Sequence, residues 1–248
     1  MFSIEVECLN RMKNCPFVVQ IISNNHSVGT ISMEQLEGNV TDLYDRTFKY
    51  PKSKWIEQFL YDVLQAEYAM KKKNILHGDI NTNNVLYHVT QDGSLRFKVC
   101  DFSHSTTLDV YKTAVKPYPN NGAPEWFKEN YGVIDYSTTA TWTIAMMFYT
   151  VHQVYTLSEQ LCKTSKYYNP KFVRFDDAHN AMLKSFITDN VDGEFKQSDL
   201  EDVAACLDVN FAKHPYGLRS FLLGALVIDN TKRITIEDAL KMLDLPTF

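Results

Sequence analysis

Residues 77–84 read His77-Gly78-Asp79-Ile80-Asn81-Thr82-Asn83-Asn84, and the apolar stretches that follow empty into Asp101-Phe102-Ser103. Taken alone, an aspartate beside a strand is ordinarily a turn or helix cap, and on that reading Asp79 and Asp101 turn toward their own backbones. The order and spacing of the two segments carry the alternative. Asp79 can orient an attacking hydroxyl and accept its proton, while Asn84 and Asp101 supply the hard oxygen atoms that magnesium takes when it bridges nucleotide phosphates. Read together, the two segments form a phosphotransfer signature.

The flanking pattern sets this loop between a helix and a hairpin. Trp55, Ile56, Phe59, Leu60, Val63, Leu64, Tyr68 and Met70 recur at helical intervals, which predicts a long helix over Lys54–Lys73 buried along one face. Residues 84–87 and 95–99 are short β-type runs joined by Gln91-Asp92-Gly93, which predicts a hairpin. Nearer the start, Ile4, Leu9 and Met12 predict a short helix that Pro16 terminates. Phe17–Ile22 and Gly29–Met33 then predict a second hairpin around the turn formers Ser23–Ser27. Beyond Ser137 the apolar stretches 144–151, 178–187, 218–226 and 236–243 are helical in period. The expected class is α+β, rich in helix and poor in strand, with the loops gathered between residues 74 and 125.

The chain has 248 residues, 45% hydrophobic and 22% charged, with 9 Gly and 8 Pro, enough for one large domain or two small lobes and unlike a collagen, mucin or solenoid. A net charge of −5 argues against nucleic acid or an anionic membrane as the main partner. Five cysteines without a C-x-x-C pair argue against a disulfide framework and a zinc site. The N-terminal residues lack the blocks of a signal peptide, and the longest apolar run, Thr141–Val151, is too short to span a bilayer. The expected location is therefore cytoplasmic, and the sequons at Asn25 and Asn39 are read as incidental.

With its loop, its Asp101-Phe102-Ser103 turn and several ordered landmarks, the sequence resembles the protein kinase superfamily, in its eukaryotic Ser/Thr form, over nearly the whole chain. The first two segments match H-R-D-x-x-x-x-N and D-F-G, and Ala123-Pro124-Glu125 matches A-P-E. Asp135 falls where the family has the aspartate that opens its central buried helix, and Arg233 where it has the arginine that pairs with the A-P-E glutamate. The resemblance implies a reduced small lobe of helix C and two strands over residues 1–36, and a mainly helical large lobe over 37–248. It makes Met33 the gatekeeper, Glu34 to Leu36 the hinge, and Leu86 the residue beneath the adenine of ATP. Glu5 takes the place of the helix-C glutamate, and Leu9, Ile21, His77 and Phe102 take those of the hydrophobic spine. The implied activity is transfer from magnesium-bound ATP to Ser or Thr of a protein substrate.

Several positions depart from the family. Asn81 replaces the catalytic-loop lysine, Gly78 the arginine, and Ser103 the D-F-G glycine, while Ser137 and Ala140 replace the usual Trp and Gly after Asp135. On this alignment the chain begins inside helix C, and it contains no G-x-G-x-x-G. The expectation is an N-terminally truncated kinase with weakened nucleotide binding. The alternative is a pseudokinase that docks to another kinase or its substrate, with a second copy or a heterologous partner covering the small-lobe edge. A further alternative is a small-molecule phosphotransferase, which His77-Gly78-Asp79 also resembles. The reduced form is similar in style to kinases of large DNA viruses, for which the location would be host cytoplasm.

Overall fold

The computed structural model describes residues 2–45, 55–107, 123, 136–156, 216–227 and 229–246. It forms two compact units, residues 1–118 with 245–248, and residues 119–244.

In the first unit, the opening apolar residues form α1 (Phe2–Arg11), which buries Val6, Cys8 and Leu9. A hairpin follows whose second strand lies where expected and whose first begins later: β1 is Ile21–Asn25 and β2 is Thr30–Met33, antiparallel, with Ile21 opposite Met33. Phe17–Gln20 are not part of it, and Ser23–Asn25, expected in the turn, are strand. Gln20 explains the shift. Its amide nitrogen Nε2 donates to the carbonyls of Cys15 and Val18, and its Oε1 accepts from Asn14 N–H, holding the chain in a series of turns. Phe17, Val18 and Val19 are apolar because they are buried against β6 (Leu95–Val99), where Val18 makes an isolated parallel bridge to Val99.

A two-residue β3 (Gly38–Asn39) leads into α2 (Val40–Asp45), neither of which the periodicity indicated. The long helix is α3 (Ile56–Lys72), and it packs on β6. At that contact the buried Asp62 accepts from Arg96 Nε and Nη2 and from the Phe97 N–H, at 2.9–3.0 Å. A buried carboxylate is tolerated only with such partners. Next, β4 (Ile75–Leu76) pairs with β7 (Thr106–Thr107), bracketing the loop and the turn at Asp101. Between them β5 (Val85–Val89) pairs with β6 from Val85↔Val99 to Val89↔Leu95, and β3 adds to the other edge of β5.

In the second unit, α4 (Tyr136–Thr156), α5 (Tyr216–Ala225) and α6 (Ile236–Met242) pack on one another. Their shared core includes Trp142, Phe148, Phe221 and Leu240. Gly224 permits the approach of the 229–235 loop, since a Cβ there would lie 2.7 Å from Ile234 Cγ2. Thr235 starts α6 with a reciprocal cap involving Asp238. The expected helix over 178–187 lies outside the described residues. No helix among the described residues is long and apolar enough to cross a membrane.

Candidate active site

The β5–β6 ladder delivers the site. Its last rung is the Cys100 N–H donating to Asn84 O at 2.9 Å, so Asn84, which enters β5, and Asp101, which leaves β6, are set side by side by main-chain pairing. The loop before β5 is closed by Asn81, whose Oδ1 accepts from the N–H groups of Asn83 and Asn84 in an Asx-type turn. Gly78 has φ 83°, a left-handed conformation that suits glycine where the family pattern has arginine.

Asp79 is gripped by two amides. Asn84 Nδ2 donates to its carbonyl at 2.8 Å and to Oδ2 at 3.0 Å, and Asn81 Nδ2 donates to Oδ1 at 3.0 Å. The acceptors on Asp79 fix the Asn84 amide with its nitrogen toward them, and Asn84 Oδ1 has no hydrogen-bond partner among the described residues. Asp101 sits at φ 64°, ψ 78° and caps the 3₁₀ turn Phe102–His104, its Oδ1 accepting from Ser103 N–H and Oγ–H. It thus shows the cap geometry of an ordinary loop aspartate at one oxygen, and Oδ2 has no hydrogen bond among the described residues.

His77 ties the two segments together. It is fully buried, its Nε2–H donates to Cys100 O at 3.0 Å, and its Nδ1 accepts from Asp79 N–H at 3.3 Å. Its ring lies 4.9 Å from that of the equally buried Phe102. Burial pushes His77 down to about 4, against the pull of the Cys100 carbonyl; a proton on Nδ1 would also face the Asp79 N–H. Burial raises Asp101, but the Ser103 hydrogen bonds and the fields of His77 and His104 outweigh it and hold the carboxyl below the ordinary aspartate value. Glu5 reaches the same neighbourhood from α1, which packs on the Phe102–His104 turn. Burial and the Asp101 charge push Glu5 up, and burial, Asp101 and Glu5 push the Cys100 thiol up to about 12.

The segment after β2 is stitched to the same hairpin. Glu34 accepts from Lys98 Nζ at 2.7 and 2.8 Å and from Gln20 N–H, while Glu37 N–H donates to Tyr87 O. This sets Leu36 beside β5, where the half-buried Leu86 shares a face with Lys98. Leu36 N–H and Glu34 O make no hydrogen bond among the described residues. Met33 is 37% exposed at the end of β2. Arg233 is in the second unit, buried, with Nε on Val227 O, Nη1 on Thr138 O and its guanidinium 4.9 Å over the Trp142 ring. Glu125 and Asp135 lie outside the described residues.

Three contributors were not indicated by the motifs: the Asn81 grip on Asp79, the Ser103 hydroxyl on Asp101 and the Lys98–Glu34 ion pair. The Asn81-Thr82-Asn83 spacing does signal an Asx turn, but which carboxylate the amide meets depends on the fold.

The residues fit a magnesium nucleotide chemically. Asn84 Oδ1 and the carboxylate of Asp101 are hard oxygen donors on adjoining main-chain positions, and two protein ligands suffice for an ion that keeps water and phosphate oxygens. No group of three or more His, Cys, Asp or Glu side chains suited to hold a metal occurs among the described residues.

The chain is similar to known protein kinases. Rat serine/threonine-protein kinase DCLK1 is 33% identical over 141 residues, covering 54% of this chain and 31% of the rat protein. The mouse DCLK1 match has the same identity and covers 18% of that protein, so the chain spans less than a third of the length of these relatives. The family model of the protein kinase domain matches residues 2–243, and on that span, with its mixed helices and small antiparallel sheets, the chain belongs to the protein kinase family.

Proposed function

We propose that the chain is a phosphotransferase that moves the terminal phosphoryl group of ATP to Ser or Thr of a protein substrate. Support comes chiefly from Asn84, which holds Asp79 by both carbonyl and carboxylate while its own carbonyl accepts from the residue before Asp101. In this reading Asp79 accepts the proton of the substrate hydroxyl, and Asn84 Oδ1 and Asp101 hold magnesium. Glu34 O and Leu36 N–H bind the adenine edge, with Leu86 beneath it and Met33 at the back. Magnesium, when bound, neutralises phosphate charge. His77 keeps the loop and Asp101 in register, Phe102 packs on it, and Glu5 anchors α1 toward the site. Glu125, Asp135 and Arg233 hold family positions that imply structural support of the site. Residues 1–36 act as the small lobe and 37–248 as the large one.

Binding of ATP by residues 1–248 is weak in this account. Residues 1–248 contain no G-x-G-x-x-G and have Asn81 in place of a lysine, and Glu5 has no ion pair among the described residues. Each missing charge-assisted contact is worth about 1.5–3 kcal/mol, so two amount to roughly a hundredfold or more in affinity. A second reading, a docking pseudokinase, is favoured by the apolar side chains that the β1–β2 hairpin exposes, Ile22 at 71% and Val28 at 66%. A partner kinase, a substrate or a second copy would cover them.

Calorimetric titration of ATP into residues 1–248, with and without Mg2+, tests the proposal. Binding that strengthens with Mg2+ and loses that dependence in Asp101→Asn is expected. Absence of any Mg2+-dependent binding at millimolar nucleotide would leave the docking reading in its place.

A further inference from the structure

Ser103 stands where D-F-G has glycine, and its hydroxyl makes a contact that glycine has no atom to make. Oγ–H donates to Asp101 Oδ1 at 2.6 Å, beside the main-chain N–H of the same serine at 3.2 Å. Asp101 receives both from a left-handed backbone, a conformation disfavoured for residues with a Cβ. An ionised carboxylate has no proton to give, so the single hydroxyl proton of Ser103 points at Asp101. The Oγ lone pairs then face His104 Nδ1 at 3.2 Å, which makes that nitrogen the donor. The hydroxyl is held from both sides, and Oδ1 is held with it.

We propose that Ser103 is a positioning residue whose hydroxyl fixes Oδ1 of Asp101 and thereby presents Oδ2 to the divalent cation shared with Asn84. The inference rests on the reading of Asp101 as a metal ligand. An aspartate free to rotate about χ1 and χ2 loses that freedom when it binds an ion. A side chain already locked at one oxygen has less to lose. Hydrogen bonds of this kind, to groups that themselves bind the metal, change metal affinity by about 10- to 100-fold when removed.

The test is Mn2+ binding to residues 1–248 with ADP present, read from the electron paramagnetic resonance signal of free Mn2+, together with unfolding in metal-free buffer. Ser103→Ala is expected to weaken Mn2+ binding on the order of tenfold, with its metal-free unfolding midpoint near wild type. Ser103→Thr, which keeps the hydroxyl, is expected to restore binding. Ser103→Gly, which keeps only the N–H, serves as the second hydroxyl-free variant if Ser103→Ala does not fold. Wild-type Mn2+ affinity in the hydroxyl-free variants, alongside loss in Asp101→Asn, overturns the positioning role and leaves the metal reading intact. Undiminished affinity in Asp101→Asn overturns the metal reading itself. Weak binding shared by Ser103→Thr, with a lowered metal-free midpoint, identifies Ser103 as structural only and also overturns the proposal.

Discussion

Asn84 donates from one nitrogen to two atoms of Asp79, the main-chain carbonyl at 2.8 Å and the carboxylate Oδ2 at 3.0 Å. The amide therefore has two separable roles, a donor toward Asp79 and an oxygen on its other side. Asn84→Ala removes both and is expected to reduce phosphoryl transfer by about tenfold or more, in line with the loss of an oriented metal ligand. Asn84→Asp supplies a stronger metal ligand but turns an acceptor on Asp79, bringing two carboxylates together. It is expected to do no better than alanine in steady-state transfer assays, and recovery to wild-type rate would show that the donor role is dispensable.

His77 gives the fold a defined acid sensitivity. The unfolded chain takes up a proton near the ordinary histidine value of about 6.5, whereas folded His77 resists until about 4. Between those values the unfolded state binds more protons, so stability is full above the upper value and falls as pH drops toward the lower one. The loss is expected to reach about 3 kcal/mol. Urea midpoints from pH 7 to 4 should decline for wild type and decline less for His77→Gln.

Arg233 stabilises the second unit whatever the catalytic status of the first. Its Nε and Nη1 satisfy the carbonyls of Val227 and Thr138, and its plane covers Trp142. Arg233→Ala is expected to destabilise by about 3 kcal/mol, and Arg233→Lys to recover less than half of that, because an ammonium lacks the planar fork. Thermal unfolding of both variants checks this. A lysine variant equal to wild type would mean that charge alone, without the fork, suffices.

How much of this was legible in the sequence differs by kind of signal. The helix carrying Phe59, Val63 and Leu64 and the hairpin ending at Val99 follow from apolar spacing, because burial on one face imposes a period. The ordered motifs were enough to identify the family and the α+β fold. The first strand of the hairpin begins at Ile21 and not at Phe17 because Phe17–Val19 are apolar for a different partner, Val99 of β6, and Ile21–Asn25 is largely exposed, so that its two isoleucines and three polar residues show no apolar alternation. Gln20, which redirects the chain through side-chain bonds to Cys15 and Val18, carries no periodic signal. The same limit hid Ser103 and Asn81. Their departures from the family pattern were visible as lost groups, but the bonds they form to Asp101 and Asp79 depend on backbone geometry at single residues.

The central claim is that Asp79, Asn84 and Asp101 serve one phosphoryl-transfer site, and the most direct measurement is transfer of radiolabelled phosphate from ATP to a generic Ser/Thr substrate. Residues 1–248 are to be assayed alone and with cell extract, beside Asp79→Asn and Asp101→Asn. The account predicts slow, Mg2+-dependent transfer by the lone chain, enhancement when a component of the extract covers the exposed hairpin, and a drop of about 10²–10⁴-fold in Asp79→Asn. Brisk transfer by the lone chain, abolished by both substitutions, would contradict the weak-binding part of the account. Extract-dependent signal unchanged by either substitution would contradict the site itself and make the chain a scaffold.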